Sequence, residues 1–459
     1  MSTRHQRPLS PFESRYFLGR TRFGSVPVRD MPAFIGSVVR GRIDVPLLER
    51  ALCALADHHP LLRCEVVGGD GDGDGDDTGA YFRLVEGFRP RLEVLSGGDD
   101  AYDRLLNTPP DWQQGLFRAY VFPDGELTRI TLVFHHGVMD GRSGFALLSE
   151  LWERYTSLVE GAIPPSSDAP AVTALPEAID ERLAAEPGFD EAELNALIEQ
   201  MAAGYGLFEA PALPTDAEGE AAADTDAYSP AGDGGGRFAR VRIDFDAATT
   251  AALVASARAA GTSLYGLVCG AALIAVRSHL PGDTGPMPLL CGHAVDLRGR
   301  LEKPLSTSVT LNCASGTGSL ADVAPDSDPL EIGRLITADL AASLARRDPE
   351  SFLLASVQAV NEKAIRAMSA PPSIAVSNIG RIPAHRVPED VEVVRDEVYA
   401  MAVGMPPKIC VFTLDGHLAI QNEYDNAVHS HTLMQQVTET LRMTLLSVTK
   451  AAAPAHDVS

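Results

Sequence analysis

Residues 131–144, TLVFHHGVMDGRSG, place two adjacent histidines at the end of an apolar run, with an aspartate and a glycine close behind. Imidazoles can ligate a metal, carry a proton, or lie buried and inert with their nitrogens hydrogen-bonded. All three readings apply to such a pair. If the run is a strand, successive side chains point to opposite faces, so His135 and His136 cannot readily share one ion. The sequence also lacks H-E-x-x-H and any Cys/His zinc spacing, and no metal is expected. His136 falls where the strand gives way to the turn GVMDG and then to a helix. Such a junction exposes side chains at the sheet edge. An ordinary imidazole pKa of about 6.5 suits His136 to accept a proton near neutral pH. Asp140 lies one turn further on. It could cap the helix, accept from an imidazole N–H, or meet a buried arginine.

The sequence offers this base no protein nucleophile. No G-x-S-x-G elbow is present, and GRSG at 141–144 is not one. The phosphate-loop pattern is absent, and no glycine-rich dinucleotide fingerprint follows a strand. A base without a nucleophile points to direct transfer, in which one substrate is activated to attack another.

The elements that must position the motif follow from periodicity. AFIGSVVRGRI reads as a strand. DVPLLERALCALADHH reads as a helix, with Asp44 as its cap and Pro46 in its first turn. LLRCEVV and AYFRLVEG are strands around a glycine-aspartate run. Asp70, Asp72, Asp74 and Gly75 in that run imitate the start of a calcium loop, but Tyr81 stands where its glutamate is needed, so a solvated loop is expected. After the motif, Phe145, Leu148, Trp152, Tyr155 and Val159 recur at helical spacing.

Composition shifts from about residue 164. A helix is expected in DEAELNALIEQMAAGYG, and residues 209–236 hold seven acids and no lysine or arginine. The expected division is a lobe at 1–175, a linker with one helix at 176–236, and a second lobe at 237–459. The second lobe repeats the plan of strand, helices and later strands. PSIAVSNIGRI reads as a short strand running into a polar loop. KICVFTLDGHLAIQNEYD reads as a hairpin turning at Asp415-Gly416. The fold class is α/β with mixed sheets.

The chain has 459 residues and a formal net charge of -24, which argues against a nucleic-acid binder. Basic residues gather at the start: Arg4, Arg7, Arg15, Arg20, Arg22, Arg29, Arg40 and Arg42 against Glu13 and Asp30. A solvated basic end accounts for this; a docking patch for an acidic partner is the sharper alternative. Six scattered cysteines form no C-x-x-C pair and sit in apolar surroundings, as in a reducing compartment. No signal-peptide core and no membrane-spanning apolar run is found. A cytoplasmic monomer is expected.

The motif, read as H-H-x-x-x-D-G, resembles the signature of the chloramphenicol-acetyltransferase-like superfamily of condensation domains and acyltransferases. GRIDVPLLERALCALADHHPLLR is similar to the N-terminal segment of condensation-type proteins. AVDLRGR, with Asp296, Arg298 and Arg300, and VSNIG, with Ser377, Asn378 and Gly380, resemble landmarks of the polyketide-associated branch typified by phthiocerol/phthiodiolone dimycocerosyl transferases. The plant branch's D-F-G-W-G segment is missing. The resemblance implies two acetyltransferase-like lobes in a pseudo-dimer, with the site in a tunnel between them. It implies His136 as general base, beside His135. It implies that Asp140 is structural and paired with Arg298, and that Gly141 supplies an N–H to the oxyanion. Ser377, Asn378 and Gly380 would line the tunnel. The implied donor is a thioester on coenzyme A or on the phosphopantetheine of an acyl carrier protein, with no permanently bound cofactor. The acceptor is a hydroxyl of a secondary metabolite or lipid, giving an O-acyltransferase. A free-standing enzyme forming an amide with an amine, or a non-catalytic homologue that docks a carrier, are the alternatives.

Overall fold

A computed structural model of the protein describes residues 5–18, 22–68, 79–162, 171–216, 236–282 and 285–451. Two sheets organise it. The first runs in the order Glu392–Tyr399, Pro32–Arg40, Leu127–His135, Phe117–Asp124, Arg91–Val94. Its pairs are antiparallel except the last. The second has six strands in the order Phe238–Phe245, His417–Asp425, Lys408–Leu414, Ile374–Ile382, Met287–Asp296, Ala314–Val323. Its two central pairs, Met287–Asp296 with Ile374–Ile382 and the latter with Lys408–Leu414, are parallel. This is the mixed α/β, two-lobed architecture read from the sequence.

Each sheet is covered by helices whose apolar faces the periodicity marks. On the first sheet lie Val45–His58 and Gly141–Val159. Asp44 caps the former by accepting from the Leu47 N–H at 3.0 Å. Leu48, Leu52, Leu55, Leu148 and Trp152 from these helices share one core with Phe34, Ile130, Leu132 and Phe134 from the sheet. On the second sheet, Leu264–Ser278 is buried almost throughout and packs with Ala247–Ala259 and His431–Ala451. Asp415 and Gly416 turn the final hairpin, both with positive φ, as a tight two-residue turn requires.

Several elements depart from the expectations. Ile374–Ile382 stays a strand through Ser377, Asn378 and Gly380, with a bulge between Asn378 and Gly380. Ala314–Val323, rich in Gly and Ser, forms an edge strand. The strand Glu392–Tyr399 comes from the second half of the sequence but completes the first sheet. The calcium-like run at 70–75, Arg20 and most of the acidic stretch 209–236 lie outside the described residues. In the basic N-terminal region, Arg15 and Arg22 donate to backbone carbonyls, Arg15 to Arg22 and Ser356, Arg22 to Ser25 and Gly404. Among the described residues no single helix is long and apolar enough to cross a membrane.

Polar groups pin the visiting strand. Ser37 Oγ donates to Asp396 Oδ1 at 2.7 Å, and His385 Nε2 lies 2.8 Å from Asp396 Oδ2. Ser149 Oγ lies 3.0 Å from His385 Nδ1. The Ser149, His385, Asp396 order imitates a nucleophile relay, but none of the three lines the cavity described below. Arg129 Nε donates to Glu397 Oε2 at 2.7 Å, with both side chains buried. Burial would raise the Glu397 carboxyl, and Arg129 outweighs it and holds that group at about 2. Each partner also has a more exposed counter-charge, Asp99 for Arg129 and Arg395 for Glu397, but removing one leaves the other without its buried partner. Arg129→Met is expected to cost about 3–5 kcal/mol in denaturant unfolding, and adding Glu397→Met should restore most of it. A single variant as stable as the parent would show that the pair does not hold the strand.

Candidate active site

The strand Leu127–His135 ends on His135, and the chain passes through one 3-10 turn, His136–Val138, before the helix Gly141–Val159. Gly137 is required at this turn. A Cβ there would come within 2.7–2.9 Å of Phe17 and Tyr16 in the helix Pro11–Phe17 that lies across it. The two histidines then part. His135 is fully buried, stacked on Phe17 at 4.0 Å and edge-on to Trp112. Its Nδ1 accepts from the Gly137 N–H at 3.0 Å, so its proton sits on Nε2, which points toward Asp30 at 3.8 Å. Its ring shapes the turn.

His136 is partly buried and faces a cavity of about 790 Å³. Its backbone N–H donates to Met31 and its carbonyl accepts from Asn312 Nδ2 at 3.0 Å. Asn312 Nδ2 is 3.5 Å from the ring Nδ1, too long to compete. The ring lies against its own backbone carbonyl and Asn312, and no hydrogen bond among the described residues engages its Nε2. Tyr16 lies nearly parallel to the ring at 6.0 Å. Burial pushes the imidazole down to about 4, against the support of its own carbonyl and the Asp140 charge, and Lys408 adds to the lowering.

Asp140 faces away from this nitrogen. It caps the motif helix, accepting from the Ser143 N–H at 3.0 Å, while Ser143 Oγ accepts from the Asp140 N–H. Its other oxygen accepts from Arg298 Nη1 at 2.6 Å and from the Cys313 N–H at 2.8 Å. Arg298 is 1% exposed and also donates to Asp296 and to the Leu311 carbonyl. Burial would raise the Asp140 carboxyl. Arg298 and the two backbone donors outweigh it and hold the group below its ordinary value.

Both halves of the chain build the cavity wall. Tyr16, Val28 and Met31 come from the first, and Leu290, Phe352 and Met405 from the second. Gly141 and Ser377 are on the wall; Asn378 and Gly380 are not. The bulge explains the split. Asn378 Oδ1 turns back to accept from the Gly380 N–H at 3.0 Å, and Gly380 takes φ +92°. A Cβ at Gly380 would meet only the movable tip of Arg142 at 3.0 Å, so it is the positive φ that calls for glycine here. Sequence reasoning missed Asn312 and Tyr16. Asn312 is the one polar side chain in LNCA beside the buried Leu311 and Cys313, a weak signal, and nothing in the local pattern marks Tyr16.

Among the described residues two groups of three bring possible ligand atoms within 4.8 Å of one another: Cys269, Cys291 and His293, and His58, His59 and Glu150. The motif histidines belong to neither. In the second group both His59 nitrogens are engaged, by Glu150 at 2.8 Å and Thr310 at 2.9 Å.

Residues 234–423 match the family described as phthiocerol/phthiodiolone dimycocerosyl transferase C-terminus. The chain is 25% identical to the phthiocerol/phthiodiolone dimycocerosyl transferase of Mycobacterium sp. (strain JLS) over 434 residues, 93% of this chain and 94% of that protein. Polyketide synthase associated protein 5 from Mycobacterium tuberculosis shares the fold with a TM-score of 0.69 at 21% identity, over 97% of this chain and 98% of that one. Trichothecene 15-O-acetyltransferase from Fusarium sporotrichioides does so with a TM-score of 0.69 at 13% identity, over 96% and 95%. The chain is thus similar in sequence, over nearly its whole length, to phthiocerol/phthiodiolone dimycocerosyl transferases, and it shares its two-lobed fold with acyltransferase structures.

Proposed function

We propose that the protein moves an acyl group from a thioester to a hydroxyl of a lipid or secondary metabolite. The thioester is carried on coenzyme A or on the phosphopantetheine arm of an acyl carrier protein. The observation that carries this reading is the His136 imidazole, its Nε2 engaged by no protein group among the described residues, on the wall of a cavity built by both halves of the chain. In the proposed step Nε2 takes the hydroxyl proton as the oxygen attacks the thioester carbonyl. A C–O bond forms and negative charge collects on the carbonyl oxygen. Collapse breaks the C–S bond, and the departing sulfur takes the proton back from His136. The ring ends neutral and the products are an ester and a thiol.

The supporting groups follow from their positions. Gly141 opens the 19-residue motif helix and lies on the cavity wall, where the helix's positive end favours a developing oxyanion. Ser377 contributes a hydroxyl to the opposite wall. The relatives' names speak of acyl transfer, and the largely apolar wall suits an acyl chain. Asp140 is given no part in proton transfer, because its oxygens are taken by Arg298 and two backbone N–H groups.

Purified protein incubated with coenzyme A or carrier-protein thioesters, and with panels of alcohols and amines, should yield esters by mass spectrometry. Amides alone would move the reading to condensation, and no product from any pair would sink it. His136→Ala should lower turnover by about 10²–10⁴-fold with the thermal midpoint kept; full activity would overturn the mechanism. Asp140→Ala should instead cost about 3–5 kcal/mol of stability, because Arg298 keeps only Asp296 and the Cys313 and Ser143 N–H groups lose their acceptor, and a normally melting variant would refute the structural role. The base works in its neutral form, and burial lowers its pKa, so activity survives acidification longer than an ordinary histidine allows. We expect kcat/KM to stay flat from pH 8 to about 5.5, where a histidine of pKa about 6.5 would already be about nine-tenths protonated. An acidic limb centred near 6.5 would contradict the burial argument.

A further inference from the structure

The cavity holds a second imidazole. His293 sits in the strand Met287–Asp296, between Thr317 on one neighbouring strand and Val376 on the other. It lines the cavity and is 3% exposed. Its Nδ1 lies 2.7 Å from the Tyr265 hydroxyl, and that hydroxyl also reaches the Val376 carbonyl at 3.1 Å. A hydroxyl has one proton, and a carbonyl can only accept. With the proton given to Val376, the Tyr265 oxygen accepts from Nδ1–H. The other nitrogen, Nε2, is then a bare acceptor, and it is buried without a hydrogen-bond partner. Buried polar atoms are rarely left so, and this one belongs to a residue of the cavity wall.

Cys269 and Cys291 set their sulfurs beside the same ring, which raises a metal as the alternative ligand. The ring nitrogen on the Cys291 side is Nδ1, 3.9 Å from its Sγ, and Tyr265 already holds that nitrogen. The unpaired nitrogen is the other one. A substrate group therefore fits the vacant valence better than an ion held by the sulfurs.

The geometry points to His293 Nε2 as the acceptor of a hydrogen bond from a substrate hydroxyl or amide N–H drawn into the cavity with the reacting groups. This rests on the acyl-transfer reading above and adds to it a positioning residue. Around it Leu290, Phe352, Met368 and Met405 give the wall little polarity, so one directed acceptor can set a substrate's orientation. Two sources offer such a donor: the amides of the pantetheine arm, and a hydroxyl of the acceptor.

Steady-state kinetics of wild type, His293→Leu and His293→Gln separate them, using a coenzyme A thioester, a pantetheine thioester and an alcohol that the wild type acylates. His293→Leu should raise one Michaelis constant about tenfold to a hundredfold while kcat stays within about threefold, and His293→Gln should recover most of the loss. A rise confined to the thioesters assigns the arm, and a rise confined to the alcohol assigns the acceptor. A folded His293→Leu protein with both constants unchanged overturns the inference, as does a collapse of kcat with both unmoved. Should His293→Leu fail to fold, Tyr265→Phe frees the ring and is expected to raise the same constant several-fold; no change there overturns it equally. If the wild type acylates nothing, the parent reading falls and this one with it. An active wild type with an indifferent His293→Leu removes this inference alone.

Discussion

Arg298 reaches from the second half of the chain into the turn behind the motif strand and meets Asp140 at 2.6 Å. Both side chains are almost wholly buried, a setting in which neither charge is tolerable alone. The carboxylate serves three groups: the guanidinium, the first turn of the motif helix through Ser143, and the Cys313 N–H. The last of these has a consequence for the base. Asn312 is the residue next to Cys313, and its amide holds the His136 carbonyl. Fixing Cys313 therefore fixes Asn312, and Asn312 fixes the turn that presents the imidazole. The aspartate acts on the reacting site through the backbone it orders. That is why a residue so near the histidines in sequence need not touch the chemistry.

The visiting strand Glu392–Tyr399 reinforces the same constraint from the other side. It lies beside Pro32–Arg40, which lies beside the motif strand, so the sheet that carries His135 is completed by residues more than 250 positions away. The apolar core reflects this, since Met401, Cys410 and Phe412 share a cluster with Leu132 and Trp152. A cavity whose wall belongs to both halves keeps its shape only if the halves are locked together. The ion pair and the shared sheet are two such locks.

What could be read in advance had a local signature. The motif strand, its helix and the final hairpin announce themselves by period and turn residues, and the histidine pair by strand geometry. What could not be read depends on partners distant in sequence. Asn312 and Tyr16 reach the site through tertiary contacts that leave no periodic trace. The bulge at Asn378 and Gly380 carries loop-forming residue types, and its strand character comes from the ladder with Lys408–Leu414, which continues past it after the other ladder ends at Ser377. Glu392–Tyr399 is dense in charge and reads as surface, yet Asp396 and Glu397 are buried because Ser37, His385 and Arg129 satisfy them. Ala314–Val323 has only Thr317 and Val323 as β-branched residues and is tolerated because it is an edge strand.

The depressed pKa of His136 then takes on a mechanistic sense within the proposed step. An imidazole that resists protonation because it is buried is a weak base in the ground state, which alone would slow proton abstraction. The penalty belongs to an isolated positive charge in apolar surroundings. In the tetrahedral intermediate the imidazolium is no longer isolated, because the negative charge that its proton transfer created lies in the same cavity. Attraction between the two is strong where water is excluded, and it exists only once the C–O bond has begun to form. The same burial that disfavours the protonated ring before reaction therefore favours the ion pair during it. Stabilisation confined to that stage lowers the barrier, whereas a basic histidine, already protonated before the alcohol arrived, would have no lone pair to offer.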